Sequence, residues 1–415
     1  MGAQVKVPLE DIDFSSIEFW LAGAEYREAA FATLRQEAPV RFFAEQEFPG
    51  FPRGPGYWAV TRYDDIVEAS RRPDLFCSGR GTNIPDIPQE ISEFFGSMIN
   101  MDDPRHARLR GIVQKGFTPS TAAQVEQYVR DRARALVDGA IEQHPDRECD
   151  FVEAFAAPLP LQIICEIMGI PAEDEARVFG WTNVILGAGD PDYGGSFESL
   201  MSSSLAMYEY AQDVGEDRRL KPRDDITSAL MQAELDGERL TASEFGSFFI
   251  LLVVAGNETT RNAISHGMKA LTDFPDQRKL WWDGVHADPR NAVEEIVRWA
   301  TPVISFRRTA TADTQLRGVS IKAGDKVVLW YNSGNRDEDQ FEDPQRFDVR
   351  RYPNAHLGFG AGGPHFCLGA SLARREIAVM FEEISRRLPN LEVTGPPAVL
   401  QSNFINGIKS MPCAW

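Results

Sequence analysis

Apolar residues recur at three- and four-residue spacing along most of the chain, the mark of helices that bury one face. The longest such pattern, residues 241–271, predicts about 30 residues of helix, roughly 45 Å at 1.5 Å per residue. Its first half is apolar all round, which places it in the interior. Further helices are predicted at residues 29–37, at 63–71 up to Pro73, from 102 through Arg110, over most of 120–180 and from Ala370 onward. Short aromatic and β-branched runs predict strands at 40–43 and 57–61, paired across the Pro/Gly-rich residues 48–56, and a hairpin over 319–329 around Ala323-Gly324-Asp325. Residues 1–20 read as an irregular arm ending in Phe19-Trp20, 77–88 as loop, and 216–225 as a charged, exposed stretch. The fold class is mainly α with small β-sheets, expected as one domain over 1–415.

Composition narrows the function classes. The net charge of −19 argues against a nucleic-acid partner and against attraction to anionic membranes. Five cysteines (Cys77, Cys149, Cys165, Cys367, Cys413) without framework spacing suit a reducing cytosol, so a cytoplasmic location is expected. The first residues lack the apolar core of a signal peptide, and the strongest apolar run, 248–255, is too short to span a bilayer.

Two stretches carry candidate chemistry. The first is Leu357-Gly358-Phe359-Gly360-Ala361-Gly362-Gly363-Pro364-His365-Phe366-Cys367-Leu368-Gly369, a glycine-dense loop delivering Cys367 to a helix start. There the unpaired N–H groups and the dipole favour a thiolate, a strong metal donor. One cysteine cannot hold zinc or an iron–sulfur cluster, which need several protein ligands, whereas haem iron needs only one. Glycines permit the tight loop, Gly369 leaves room for a flat ligand, and Phe359 can shield the sulfur. The second stretch, Ala255-Gly256-Asn257-Glu258-Thr259-Thr260, puts a polar patch inside a buried helix, where it must be satisfied or functional. Gly256 costs about 1 kcal/mol there against Ala. Ala255 and Gly256 leave space for a small ligand, the Thr259 hydroxyl can bond the Ala255 carbonyl and bend the helix, and Glu258 can supply protons.

The loop resembles the haem-binding loop of the cytochromes P-450, with one departure: Phe359 and Cys367 are eight residues apart where the family usually has seven. The added residue resembles an actinobacterial branch that oxidises methyl-branched lipids and sterol side chains. The resemblance covers nearly the whole chain and implies the cytochrome P-450 fold, haem b with iron held by Cys367, and oxygen activation by the acid–alcohol pair Glu258 and Thr259. His106 and Arg110 lie one helical turn apart, as a carboxylate clamp requires. With His365 and Arg308 (Arg307 being the rival) the resemblance assigns them to the haem propionates. It makes Glu295 and Arg298 a structural Glu-x-x-Arg pair, joined by Arg346 or Arg351. Substrate contacts are expected from Phe95 and Met98, from Val184 and Leu186 before a Gly-rich lid at 187–195, from Val303, Ile304 and Phe306, and from Phe404.

The implied activity is hydroxylation of a methyl-branched fatty acid or isoprenoid at a terminal methyl. The alternatives are a sterol side-chain or terpene hydroxylase, or a haem-thiolate sensor without turnover. The sequence has no P-loop, Rossmann or Cys-cluster motif, so electrons must arrive from outside. The donor expected from the resemblance is a ferredoxin, fed from NAD(P)H by a ferredoxin reductase. The ferredoxin would dock at Arg374 and Arg375 on a monomeric protein.

Overall fold

The structure is a computed structural model that describes residues 6–47, 53–116, 119–187, 190–193, 196–234, 237–284 and 289–415. The long helix of the sequence pattern runs Ala242–Asp273. Its start is fixed by a capping box: the Thr241 hydroxyl accepts from the Glu244 N–H at 3.1 Å, and the Glu244 carboxylate accepts from the Thr241 N–H at 2.9 Å. Helices Pro158–Met168, Phe197–Leu220, Arg290–Ala300 and Ala370–Arg387 pack around it, which explains its all-round apolar first half. Together they enclose the largest apolar core.

A five-stranded sheet flanks this helical body in the order Val40–Phe43, Tyr57–Val60, Lys326–Trp330, Ser305–Ala310, Phe76–Cys77. The first two strands pair antiparallel as expected, Val40 opposite Val60. The expected hairpin over 319–329 does not form. Val319–Ile321 turns back on Thr314–Leu316, while Lys326–Trp330 enters the main sheet between Tyr57–Val60 (parallel) and Ser305–Ala310 (antiparallel). Every residue of Lys326–Trp330 is buried, so tertiary pairing outweighs the local turn signal.

Two other expectations change. The described part of the amino-terminal arm is built into the fold: Ile17–Leu21 is a short helix capped by Ser16, Phe14 and Trp20 are buried against Trp330, and Phe19 is buried against Phe14 and Trp20. Residues 216–225 are not simply exposed. Arg218 is buried, pairs with Asp225 and donates to the Gly169 carbonyl, tying two helix ends together. Among the described residues no helix is long and apolar enough to cross a membrane.

Candidate functional site

Cys367 lies just ahead of Ala370–Arg387, whose N-cap is Gly369. The Cys367 N–H donates to the Phe359 carbonyl at 3.0 Å and the Gly360 N–H to the Leu357 carbonyl at 2.8 Å, closing the loop. Gly360, Gly362 and Gly363 all have positive φ. A Cβ at Gly363 would stand 2.5 Å from the Ser70 carbonyl oxygen, and the Ser70 hydroxyl donates to the Gly362 carbonyl at 3.0 Å. The additional loop residue is therefore accommodated by seating the loop on helix Tyr63–Arg71.

The Cys367 side chain keeps accessible surface. Burial pushes the thiol up, outweighing the N–H groups of Gly369 and Ala370 and the nearby Arg110 and Arg374, which favour the thiolate. The helix terminus thus acts in the expected direction without prevailing on its own. A Cβ added at Gly369 would meet nothing within 4 Å, leaving open space over the first helical turn. Phe359 is buried with the Arg374 guanidinium 4.3 Å from its ring centre.

On the long helix, the Thr259 hydroxyl donates to the Ala255 carbonyl at 2.8 Å, as its position suggests. Ala255 is exposed in the middle of this buried helix because it faces a cavity of about 820 Å³. Ile250, Leu251, Val254, Ala255 and Thr259 form one wall, with Phe95, Leu186, Val303, Phe306 and Phe404 on the others. Three expected wall residues are not there. Met98 turns into the main core, Ile304 into the aromatic core under the sheet, and Val184 stands off the wall that its neighbours Ile185 and Leu186 form. A one-residue step reverses the face along a strand and rotates it by about 100° on a helix, which is enough to miss a cavity. Gly256 is also corrected: a Cβ there would meet Ile164 at 3.3 Å, so its missing side chain admits a neighbouring helix and leaves no ligand space. Of the lid, Ala188, Gly189, Gly194 and Gly195 lie outside the described residues.

Glu258 is buried and is not part of the cavity wall. One carboxylate oxygen pairs with Arg261 at 2.5 Å; the other has no partner among the described residues. Arg261 also donates to the Asn183 side chain at 3.1 Å, linking the pair to helix Glu175–Leu186. Burial raises the Glu258 pKa, and Arg261 and then the Asn262 side chain oppose the rise. Arg261 was missed from sequence, although its three-residue spacing from Glu258 is the signal that would have found it.

Four nitrogen-bearing side chains gather near the Cys367 loop. The His106 and His365 rings stand 4.4 Å apart. His106 has Asp103 at 3.3 Å on Nδ1, and its buried Nε2 has no partner. Arg110 donates to the Phe366 carbonyl at 2.8 Å. Burial, then Arg308, His106 and Arg110, pushes the His365 imidazole down to about 3. Arg308 is buried and meets no carboxylate among the described residues, whereas Arg307 is already paired with Asp86 at 2.7 Å. An anion would relieve the mutual repulsion of this cluster, and Arg308 is the better placed of the two arginines to meet it.

Behind the loop, Glu295 and Arg298 form a fully buried bidentate pair at 2.7 and 2.8 Å. The Arg351 guanidinium joins them at 3.1 Å, while Arg346 contributes only its carbonyl, to Arg298 at 3.2 Å. The Asp348 N–H and the Asn354 amide complete the shell of Glu295. Arg374 and Arg375, expected as a docking patch, are already engaged by Glu294 and by Glu126 at 3.3 Å.

The residues fit a haem on three counts: an accessible thiol, open space over Gly369, and a basic cluster with an unpartnered imidazole nitrogen where two carboxylates would be held. Comparison with known proteins agrees. The family described as Cytochrome P450 matches residues 290–399. A Mycobacterium tuberculosis methyl-branched lipid omega-hydroxylase is 55% identical over 410 residues, covering 99% of this chain and 96% of that one. A Rhodococcus jostii steroid C26-monooxygenase is 43% identical, covering 98% and 85% respectively. A Mycobacterium marinum cytochrome P450 solved in complex with pseudoionone superposes with a TM-score of 0.90 at 42% identity over the whole of both chains. With an accessible cysteine at the start of one helix and a threonine-bearing helix walling an apolar cavity, the chain belongs to the cytochrome P450 family of haem-thiolate monooxygenases.

Proposed function

We propose that this monooxygenase hydroxylates a methyl-branched fatty acid or isoprenoid at a terminal methyl carbon. The observation that carries the reading is the cavity of about 820 Å³, whose wall is mostly aliphatic and aromatic, with Glu47 the one charged side chain among the described residues that line it. Such a wall desolvates a hydrocarbon chain at little polar cost. The 55% identity to a methyl-branched lipid omega-hydroxylase supports the same substrate class. The 43% identity to a steroid C26-monooxygenase favours sterol side chains as the second reading.

Bound haem supplies the oxygen chemistry, RH + O2 + 2 e⁻ + 2 H⁺ giving ROH and H2O. The chain does the rest. Cys367 ligates the iron, His106, Arg110, Arg308 and His365 hold the propionates, and Phe359 and Gly369 bound the ring. Thr259 holds a proton donor at the cavity wall through its hydroxyl, and Glu258, turned toward Arg261, replenishes it by swinging from that pair. Phe95, Leu186, Val303, Phe306 and Phe404 orient the lipid and exclude water. Electrons come from NAD(P)H through a ferredoxin that docks on the Cys367 face, where Arg374 and Arg375 exchange internal carboxylates for the partner's. The protein acts as one cytoplasmic, monomeric domain.

The test is a spectral titration of the haem-loaded protein with branched fatty acids, linear fatty acids, terpenes and sterols. Branched acids should give the low- to high-spin change of the haem spectrum at the lowest concentration, and Cys367→Ala should abolish the response. Binding of polar compounds with no response to any lipid would sink the reading; tighter binding of sterols would select the second one.

A further inference from the structure

Cys149 and Cys413 take no part in the haem site, yet the fold places them against each other. Strands Glu148–Asp150 and Pro412–Ala414 pair antiparallel with Cys149 directly opposite Cys413. The two sulfurs are 3.5 Å apart. Backbone hydrogen bonds from Phe151 to Met411 (2.8 Å) and from Trp415 to Arg147 (3.2 Å) flank the pair two residues away on either side. The cysteines therefore occupy a hydrogen-bonded position of the ladder, where opposed α-carbons stand about 5.5 Å apart. That separation lies within the range a disulfide spans without backbone movement. Access is asymmetric: Cys413 is buried in the main core and Cys149 is half-buried at its edge. A small oxidant reaches Cys149 first, and the Cys413 sulfur is in contact with it. The contact from Cys413 lowers the Cys149 thiol, outweighing burial and the nearby Asp150, Asp146 and Glu153.

We propose that Cys149 and Cys413 form a peroxide-oxidisable dithiol whose disulfide fastens strand Pro412–Ala414 to Glu148–Asp150. The Cys149 thiolate attacks hydrogen peroxide, breaking the O–O bond to leave a sulfenic acid and hydroxide, which takes a proton to become water. The Cys413 sulfur then attacks the Cys149 sulfur, forming the S–S bond and expelling a second water. In sum, two thiols lose two electrons and two protons, and one H2O2 becomes two H2O. The fastened strand lies a few residues beyond residues 401–405, which line the cavity, so the bond anchors the segment that carries Phe404.

The holoenzyme is treated with a few equivalents of hydrogen peroxide, alkylated, and mapped by mass spectrometry without reduction. The expected product is one cross-linked peptide pair containing Cys149 and Cys413, lighter by two hydrogens than the separate peptides, lost on dithiothreitol treatment and absent from Cys149→Ser. The oxidised protein should unfold a few degrees higher than the reduced one, and the increment should vanish in Cys149→Ser. Over-oxidation of Cys149 with Cys413 still alkylatable, or no change in either, overturns the pairing. An unchanged unfolding midpoint despite the cross-link overturns the fastening.

Discussion

Two glutamate–arginine pairs in this protein share one sequence spacing and opposite surroundings. Glu295–Arg298 and Glu258–Arg261 are each three residues apart on a helix, and all four side chains are buried. Both carboxylate oxygens of Glu295 are answered, by Arg298, Arg351, the Asp348 N–H and Asn354, while Arg298 also reaches the carbonyls of Asn335 and Pro344. Around Glu258 one carboxylate oxygen and the Arg261 Nε are left over. A complete shell holds one geometry. An incomplete one beside a cavity leaves a carboxyl free to exchange partners and protons. The contrast separates scaffold from machinery where the sequence motif alone does not.

The comparison breaks hardest at Arg298. Arg298→Leu takes the bidentate partner from the buried Glu295 carboxylate and the donor from the Asn335 and Pro344 carbonyls, and should destabilise the fold by about 3–5 kcal/mol, seen as a lower denaturant midpoint and poor haem retention. Arg261→Leu should cost clearly less, because Glu258, already raised by burial, can take a proton instead of remaining an unpaired anion. Equal losses for the two variants would mean that the shells do not differ in kind.

Thr259→Ala sharpens the same contrast from the other side. It removes the hydroxyl from the cavity wall and the bond to the Ala255 carbonyl. Product formed per NAD(P)H oxidised should fall roughly 100-fold, the scale of a lost proton donor. Stability should shift by no more than about 1 kcal/mol, the worth of one hydrogen bond. A stability loss matching that of Arg298→Leu, with product yield preserved, would make Thr259 a structural residue.

How far the sequence carried depended on whether a feature is local. Cys367 and its loop were legible because glycine conformations, the helix start and the thiol sit within a dozen residues. Thr259 was legible because a hydroxyl four residues after Ala255 reports its own hydrogen bond. Arg351 could not be separated from Arg346, since both lie in one short irregular stretch and only the tertiary path decides which guanidinium turns inward. Met98 and Ile304 were misplaced for a related reason: an apolar run facing a cavity and one facing the core look the same until the neighbours are known. The hairpin at 319–329 failed because a strong local turn competed with a buried slot in the main sheet.

The smallest effects concern pH, and they set two glutamates near the Cys367 helix against each other. Burial pulls the Glu294 pKa upward, but hydrogen bonds and attraction from His356 and Arg374 more than offset it and bring it to about 2, from 4.5. Its contribution to stability is therefore present above pH 4.5 and lost as the pH falls toward 2. Glu376, buried on Ala370–Arg387 with one oxygen unpartnered, is driven the other way, to about 8, by burial alone. Ionising it costs the folded state, so stability declines as the pH rises from 4.5 through 8. Unfolding midpoints measured across this range should show a shallower acid limb in Glu294→Gln and a shallower alkaline limb in Glu376→Gln. The reverse assignment, or a Glu376→Gln profile parallel to that of the unmodified protein, would mean that the buried carboxyl has a charge partner in solution. Glu376 would then belong with Glu295 among the answered groups.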